Sequence, residues 1–345
     1  MKASFIPYHL QFKRAAKTSR NTLVNKPTWY ILLEHEEKRG IGEVGIIKGL
    51  SVDDLDDLED KIKDVCERIE YYLEKPHELD EFPSIKFALE TALMHLWAKQ
   101  DFKLFENDFS QKEKPIKING LIWMGDAAFM KSQLRERLDL GFDCIKMKIG
   151  AIDFETELNL LKSIRQEFSA DQVELRVDAN GAFAADEALE KLNRLSEFNL
   201  HSIEQPIAAN QWEAMRTLCE ETPIPIALDE ELIDRNEMDI DILLDSISPQ
   251  YIILKPGLHG GFGLSDQWIA AAEEKGIGWW ATSALESNIG LNAIAQWAGS
   301  KELKMPQGLG TGSLFTNNIP SPLRLSRDQL RYDLKEKWDL SIFNG

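Results

Sequence analysis

The sequence predicts an α/β protein, a closed barrel joined to a smaller α+β module. Beyond about residue 117, strand-like and helix-like segments alternate with a repeat of roughly 25 to 30 residues, the length of one βα unit. Seven or eight such units follow one another, and an open doubly wound sheet rarely continues so regularly, which favours closure. The preceding part of the chain has a different order, strands first and helices after.

In that first part "SFIPYHLQFKR", "TWYILLEHEE" and "GEVGIIKGL" are rich in β-branched and aromatic residues and read as strands. "DDLEDKIKDVCERIEYYLE" and "SIKFALETALMHLWAKQ" carry apolar residues at helical spacing. Residues 104–117 read as a charged connector. The barrel strands are then "GLIWM", "CIKMKIG", "VELRVDAN", "HSIEQP", "IPIALDEE", "YIILKP" and "IGWWATSA", with a short last one near "QGLG". Helices such as "AFMKSQLRERLDL" and "FETELNLLKSIRQEF" lie between them. The tail from about Pro320 is too long for mere fraying and is expected to pack back onto the first module.

The chain has 345 residues, 43% hydrophobic and 28% charged, an ordinary globular composition. Its formal charge of -18 repels nucleic acid and anionic membrane surfaces, so neither is expected as a partner. An anionic substrate must then be captured by local cations or a metal. Cys66, Cys144 and Cys219 are far apart and lack CxxC spacing, so a disulfide framework or zinc knuckle is not indicated and a reducing cytoplasm fits. No stretch approaches the roughly 20 apolar residues of a spanning helix, and the basic N-terminus lacks the apolar centre of a signal peptide. Nothing in the sequence decides between a monomer and a homo-oligomer.

Side chains on a strand alternate between faces, and this sorts the polar residues. In "CIKMKIG", Ile145, Met147 and Ile149 share one face while Lys146 and Lys148 share the other. Asp178, Glu204 and Asp229 oppose the apolar residues of the next three strands, each at the C-terminal end, and Lys255 does the same in "YIILKP". In a barrel those inward, C-terminal positions line the mouth where catalysis occurs. A lone strand-end Asp is commonly only a helix cap or turn residue. Two lysines, three carboxylates and another lysine at equivalent strand ends are not explained by turn chemistry.

Three close carboxylates cannot all stay ionised without a cation, and an oxygen-only donor set selects a hard ion such as Mg²⁺. A lysine beside another lysine and a metal is poised as a neutral base. Lys148, nearer the strand end, is the better candidate, with Lys146 tuning it or binding a substrate carboxylate. Lys255 approaches from the opposite side. The implied chemistry is removal of a proton next to a carboxylate, with the enediolate held on the metal.

With these residues the chain resembles the enolase superfamily, in its muconate-lactonising subgroup, over essentially its whole length. The resemblance implies a (β/α)7β TIM-like barrel over residues 116–319, an α+β capping domain over 1–115 and a C-terminal segment, 320–345, returning to the cap. The family's Lys-x-Lys falls on Lys146 and Lys148, its metal carboxylates on Asp178, Glu204 and Asp229, and its sixth-strand lysine on Lys255. Mg²⁺ is the implied cofactor, with Mn²⁺ as a substitute, and a small-molecule carboxylate the substrate. Within the subgroup "RVDANGAF", "LKPGLHGGF", "SALESNIGLNAIAQW" and "QGLGTGSLFTNNI" are most similar to the o-succinylbenzoate synthase family, lyases that perform a syn-dehydration in menaquinone biosynthesis. Ser283 and Gly310 are implied substrate contacts, and a cap loop near Ser19 and Arg20 is implied to close over the site.

N-acylamino acid racemases, dipeptide epimerases and cycloisomerases share this catalytic set and remain the alternative. The seventh strand ends with Ser283 and Glu286 and lacks the Asp-x-Asp by which the epimerases hold an amino group, which weakens that reading. A Schiff-base barrel using Lys148 or Lys255 and a non-enzymatic binding protein are the other classes. The "GLHGGFG" and "GLGTG" runs lack the Lys-Ser/Thr ending of a P-loop.

Overall fold

The structure, a computed structural model, describes residues 1–17 and 22–344; Ser19 and Arg20 of the expected closing loop lie outside the described residues. The chain begins with an antiparallel sheet of β1 (Lys2–Lys17), β2 (Thr22–His35) and β3 (Lys38–Gly45), in that order. Helices α1 (Leu58–Glu67), α2 (Ile69–Glu74) and α3 (Pro83–Trp97) follow. The expected single helix over residues 56–74 is instead two, meeting at Arg68, whose φ of -120° leaves the helical range. The bend lets Cys66, Ile69 and Tyr72 reach one core.

Strand alternation on β2 decides how this module sits. Ile31 and Leu33 bury against α1 and α3, whereas Tyr30 and Leu32 pack on Ile41, Ile289, Ile319 and Phe343. One face of the sheet therefore builds its own core and the other joins the rest of the molecule. Close approach of α3 to β3 depends on glycine: a Cβ on Gly42 would lie 1.9 Å from the carbonyl oxygen of Ala88. Gly42→Ala is expected to destabilise by about 1–3 kcal/mol through forced separation of helix and sheet. An unchanged urea midpoint would contradict this packing.

Residues 104–117 are more ordered than a charged connector. They hold a short α4 (Asp108–Lys112) and β4 (Ile116–Lys117). The Asn107 side chain caps α4 by accepting from the Ser110 amide, and Phe109 is buried beneath it.

The barrel alternates β5 (Gly120–Ile122), α5 (Ala127–Asp139), β6 (Cys144–Lys148), α6 (Phe154–Glu167), β7 (Glu174–Asp178), α7 (Ala185–Leu195) and β8 (Ser202–Glu204). It continues with α8 (Trp212–Glu221), β9 (Ile226–Leu228), α9 (Asp239–Ile247), β10 (Tyr251–Leu254), the short α10 (Pro256–His259), α11 (Phe262–Glu274), β11 (Gly278–Ala281) and α12 (Asn288–Gly299). Helix starts are locally encoded: Asp126, Asp153 and Ser287 cap α5, α6 and α12 through their side chains.

Strands β5 to β11 are parallel neighbours in sequence order. The expected eighth strand is reduced to Gln307 and Gly308, which bridge in parallel to Ile118 and Thr282 and close the ring between its first and last strands. The result is a (β/α)7β barrel. The C-terminal residues form a hairpin, β12 (Leu323–Ser326) and β13 (Gln329–Tyr332), that pairs with β4. Only then does the chain reach the first module, where Trp338, Leu340 and Phe343 pack beside Tyr30 and Phe102.

Inside the barrel, position along a strand separates structural from mouth residues. Arg176 shares a face with Asp178 but lies two residues deeper, its guanidinium 4.5 Å from the Trp280 ring centroid and 2.8 Å from Glu174. It fills the closed end. No helix among the described residues is long and apolar enough to cross a membrane.

Candidate active site

Parallel register brings the polar strand ends together. Lys148 is level with Asp178, and Asp178 with Glu204; Glu204 is level with Ala227, two residues before Asp229. Strand β10, which precedes Lys255, is four strands from β6 in a ring of eight, so Lys255 faces the paired lysines across the barrel. All six chemistry-bearing residues expected from the sequence meet at this end. Asp178, Glu204 and Asp229 are buried, as are Lys146 and Lys255, while Lys148 is half-buried.

Lys146 Nζ donates to both Glu204 oxygens, at 3.0 and 2.8 Å, and lies 3.0 Å from Asp178 Oδ2. Lys148 Nζ donates to Asp178 Oδ2 at 2.9 Å and Asn180 Oδ1 at 2.6 Å. Lys255 donates to Asp229. Asn180 turns out of β7 in the left-handed region, φ 47°, a conformation Asn tolerates, and its Nδ2 donates to Glu230 at 3.0 Å. Gln205, at φ 38°, accepts from the Asp229 and Glu231 amides and so shapes the turn after β9.

The electrostatics follow from burial and these contacts. Burial pushes the Asp178 carboxyl up, but Lys146 and Lys148 outweigh it and hold the group well below the usual carboxylate range. Asp229 is also lowered, burial again being overcome, by Lys255. Glu204 goes the other way: burial and the Asp178 charge raise it well above its ordinary value, despite Lys146. Lys146 is raised, because Asp178, Glu204 and Asp229 overcome the effect of burial, and Lys255 is raised by Asp229 and Glu204 in the same way. Carboxylate contacts at 2.8–3.0 Å keep Lys146 an ammonium, beside the Lys148 that the sequence singles out as the base.

Among the described residues no three His, Cys, Asp or Glu side chains stand ready as a metal cage; the ammonium groups of Lys146 and Lys255 lie against the carboxylates instead. The donor chemistry nevertheless fits a hard cation. The charges of Asp178 and Asp229 both act on Glu204, and Lys146 lies against both Asp178 and Glu204. Three buried carboxyls so close force one toward neutrality even with lysines nearby, and Asp229 Oδ1 makes no hydrogen bond among the described residues.

A cavity of about 140 Å³ opens onto Lys146, Lys148, Asp178 and Lys255. Ser283 and Gly310 line it, and Trp123, Ile47 and Leu285 provide apolar wall. Asn180 and Thr311 also line it and were not singled out from sequence. Asn180 was detectable, since it shares the inward face of Asp178; Thr311 lies in an irregular segment without a strand period.

The sequence profile of the family described as "Enolase C-terminal domain-like" matches residues 130–318. The o-succinylbenzoate synthase of Desulfotalea psychrophila is 46% identical over 94% of this chain and 96% of its own length. A crystal structure of MenC from Desulfotalea psychrophila superposes with a TM-score of 0.86 at 44% identity, covering 96% of this chain and 99% of that one. The muconate lactonizing enzyme of Pseudomonas fluorescens has the same fold, with a TM-score of 0.82 at 23% identity over 99% and 97% of the two chains. With the barrel, the strand-end residues and these matches in agreement, the chain belongs to the enolase superfamily, in its Enolase C-terminal domain-like family.

Proposed function

We propose that this chain is a Mg²⁺-dependent syn-dehydratase that converts a cyclohexadiene carboxylate bearing a succinyl side chain into o-succinylbenzoate and water, the o-succinylbenzoate synthase step of menaquinone biosynthesis. The observation that carries this reading is the 46% identity to a relative of that name along nearly the full length of both chains. Asp178, Glu204 and Asp229 would hold the Mg²⁺, or Mn²⁺ in its place. Bound there, the ion supplies positive charge to offset that developing on the substrate carboxylate.

Lys148 acts as both base and acid. Its Nζ, held at the cavity wall by Asp178 and Asn180, takes the proton next to the carboxylate and returns it to the hydroxyl departing from the same face. One C–H and one C–O bond break, a C=C bond forms, and water leaves as the ring becomes aromatic. Lys255 stays an ammonium on the opposite side and stabilises the developing negative charge, while Lys146 anchors Asp178 and Glu204. Residues 1–115 serve as the cap over the barrel of 116–319, with 320–345 fastening the two. Cytoplasmic placement is supported by three buried free cysteines.

The purified protein with Mg²⁺ is expected to produce an aromatic ultraviolet chromophore from the succinyl-bearing cyclohexadiene acid. Racemisation of N-acylamino acids without any aromatic product would replace this reading with the racemase one.

A further inference from the structure

Between the cap sheet and the end of β11 lies a buried polar cluster that the proton chemistry above does not use. Glu43 of β3 accepts from the Ser287 amide at 2.8 Å, the Ser287 hydroxyl at 2.6 Å and the Gly290 amide at 2.9 Å. Lys26 of β2 has its Nζ 3.9 Å from Glu43 Oε1 and makes no hydrogen bond among the described residues. Beside them Glu286 is 2% exposed, with Oε2 2.6 Å from Ser283 Oγ. Ser283 Oγ in turn is 2.8 Å from Thr311 Oγ1 and accepts from the Leu285 amide at 3.0 Å. Ser283 and Thr311 line the active-site cavity, so a row of three oxygens runs from the cap interface to the cavity wall.

Each hydroxyl in this row has one proton, so the whole row points one way. With Glu286 ionised, Thr311 donates to Ser283 and Ser283 to Glu286, and the cavity meets only lone pairs, which repel an anion. With Glu286 protonated the row reverses. Glu286 donates to Ser283, Ser283 to Thr311, and the Thr311 proton is free to enter the cavity.

We propose that Glu286 is the protonated head of this relay and thereby makes Thr311 the donor that selects a substrate with a second, remote carboxylate. The inference deepens the dehydratase reading and rests on it, since the succinyl chain supplies that carboxylate. Charge counting favours the direction: one ammonium, Lys26, faces two acids, and Glu43 holds the three strong donors that an ionised carboxylate needs. Among the described residues Glu286 Oε1 has no hydrogen bond, and it faces the backbone of Gly257, where a Cβ would come within 2.6 Å of it. An unpartnered oxygen costs less on a neutral acid than on a buried anion. Burial raises the Glu286 carboxyl above its ordinary value and Glu43 adds to this, while Lys26 and Ser283 pull it down less strongly.

Glu286 is a positioning residue here, and the readout is inhibition constants for o-succinylbenzoate and for benzoate, which lacks the remote carboxylate, from neutral to alkaline pH. The enzyme with Mg²⁺ is expected to bind o-succinylbenzoate more weakly as pH rises and Glu286 ionises, with no matching change for benzoate. Glu286→Ala, which removes the acceptor and leaves the Ser283 proton to Thr311, should keep neutral-pH binding and abolish the alkaline weakening. Glu286→Gln, whose amide donates to Ser283 at every pH, should do the same. An alkaline weakening that persists in Glu286→Gln, or equal effects on benzoate, overturns the relay. Should the Glu286 variants not fold, Thr311→Val decides: about tenfold weaker binding of o-succinylbenzoate alone supports it, and unchanged binding overturns it. Dehydration rates on the same preparations separate the two levels. An enzyme that dehydrates but lacks this pH pattern loses only the relay, whereas one that neither dehydrates nor binds o-succinylbenzoate loses both.

Discussion

Lys148→Ala is expected to show no detectable dehydration, while Lys255→Arg keeps a measurable part of it. Removing Lys148 takes away a general base worth roughly 10²- to 10⁴-fold and also the acid that protonates the leaving hydroxyl, so two steps fail together. Lys255 has a different task. Its ammonium pairs with Asp229 across the barrel from Lys148, which places a fixed positive charge on the far side of the cavity. Arginine keeps that charge but does not deprotonate in a protein, so it replaces the electrostatic role and not a base. Lys148→Arg should accordingly be inactive. Equal loss in both arginine variants, with solvent deuterium entering substrate from either face in the parent enzyme, would show two-base chemistry and a racemase. A crystal structure of Lys255→Arg checks that the larger guanidinium still pairs with Asp229.

Asp178→Asn, Glu204→Gln and Asp229→Asn are each expected to abolish activity and weaken Mg²⁺ binding, but they should differ in stability. Asp178 is the ionised partner of two ammonium groups, Lys146 at 3.0 Å and Lys148 at 2.9 Å. Making it neutral leaves Lys146 with Glu204 and Lys148 with Asn180 alone, a loss approaching the about 3–5 kcal/mol of a broken buried ion pair. Glu204 is driven toward its neutral form by burial and by Asp178, so Glu204→Gln should lower the urea midpoint of the metal-free protein less than Asp178→Asn does, its main loss being one acceptor for Lys146. Normal Mg²⁺ affinity in all three, from calorimetric titration, would remove the metal assignment. Equal destabilisation by Asp178→Asn and Glu204→Gln would contradict the charge distribution described above.

Much of this site could be read directly from strand alternation. A period of two assigns a face to every residue, and the C-terminal end of a barrel strand is where inward polar side chains converge. Lys146, Lys148, Asp178, Glu204, Asp229 and Lys255 were legible for that reason. Alternation does not assign depth: Arg176 shares the face of Asp178 yet stacks on Trp280 at the closed end. Nor does it reveal pairing: Lys146 lies beside Lys148 on one strand face, and only the fold brings Glu204 to 2.8 Å from it.

The order of strands and helices, the barrel class and the polar residues of each strand end were determined by the sequence alone, because they depend on spacing within a few residues of one segment. Tertiary structure decided the rest: the eighth strand as a two-residue bridge, the C-terminal hairpin paired with Ile116–Lys117, and the cap cluster in which Glu43 binds Ser287, 244 positions away. Lys26, Glu43 and Glu286 lie in segments whose local patterns are ordinary. Their buried charges become informative only when packing removes water and leaves each with the partners that the fold has brought to it.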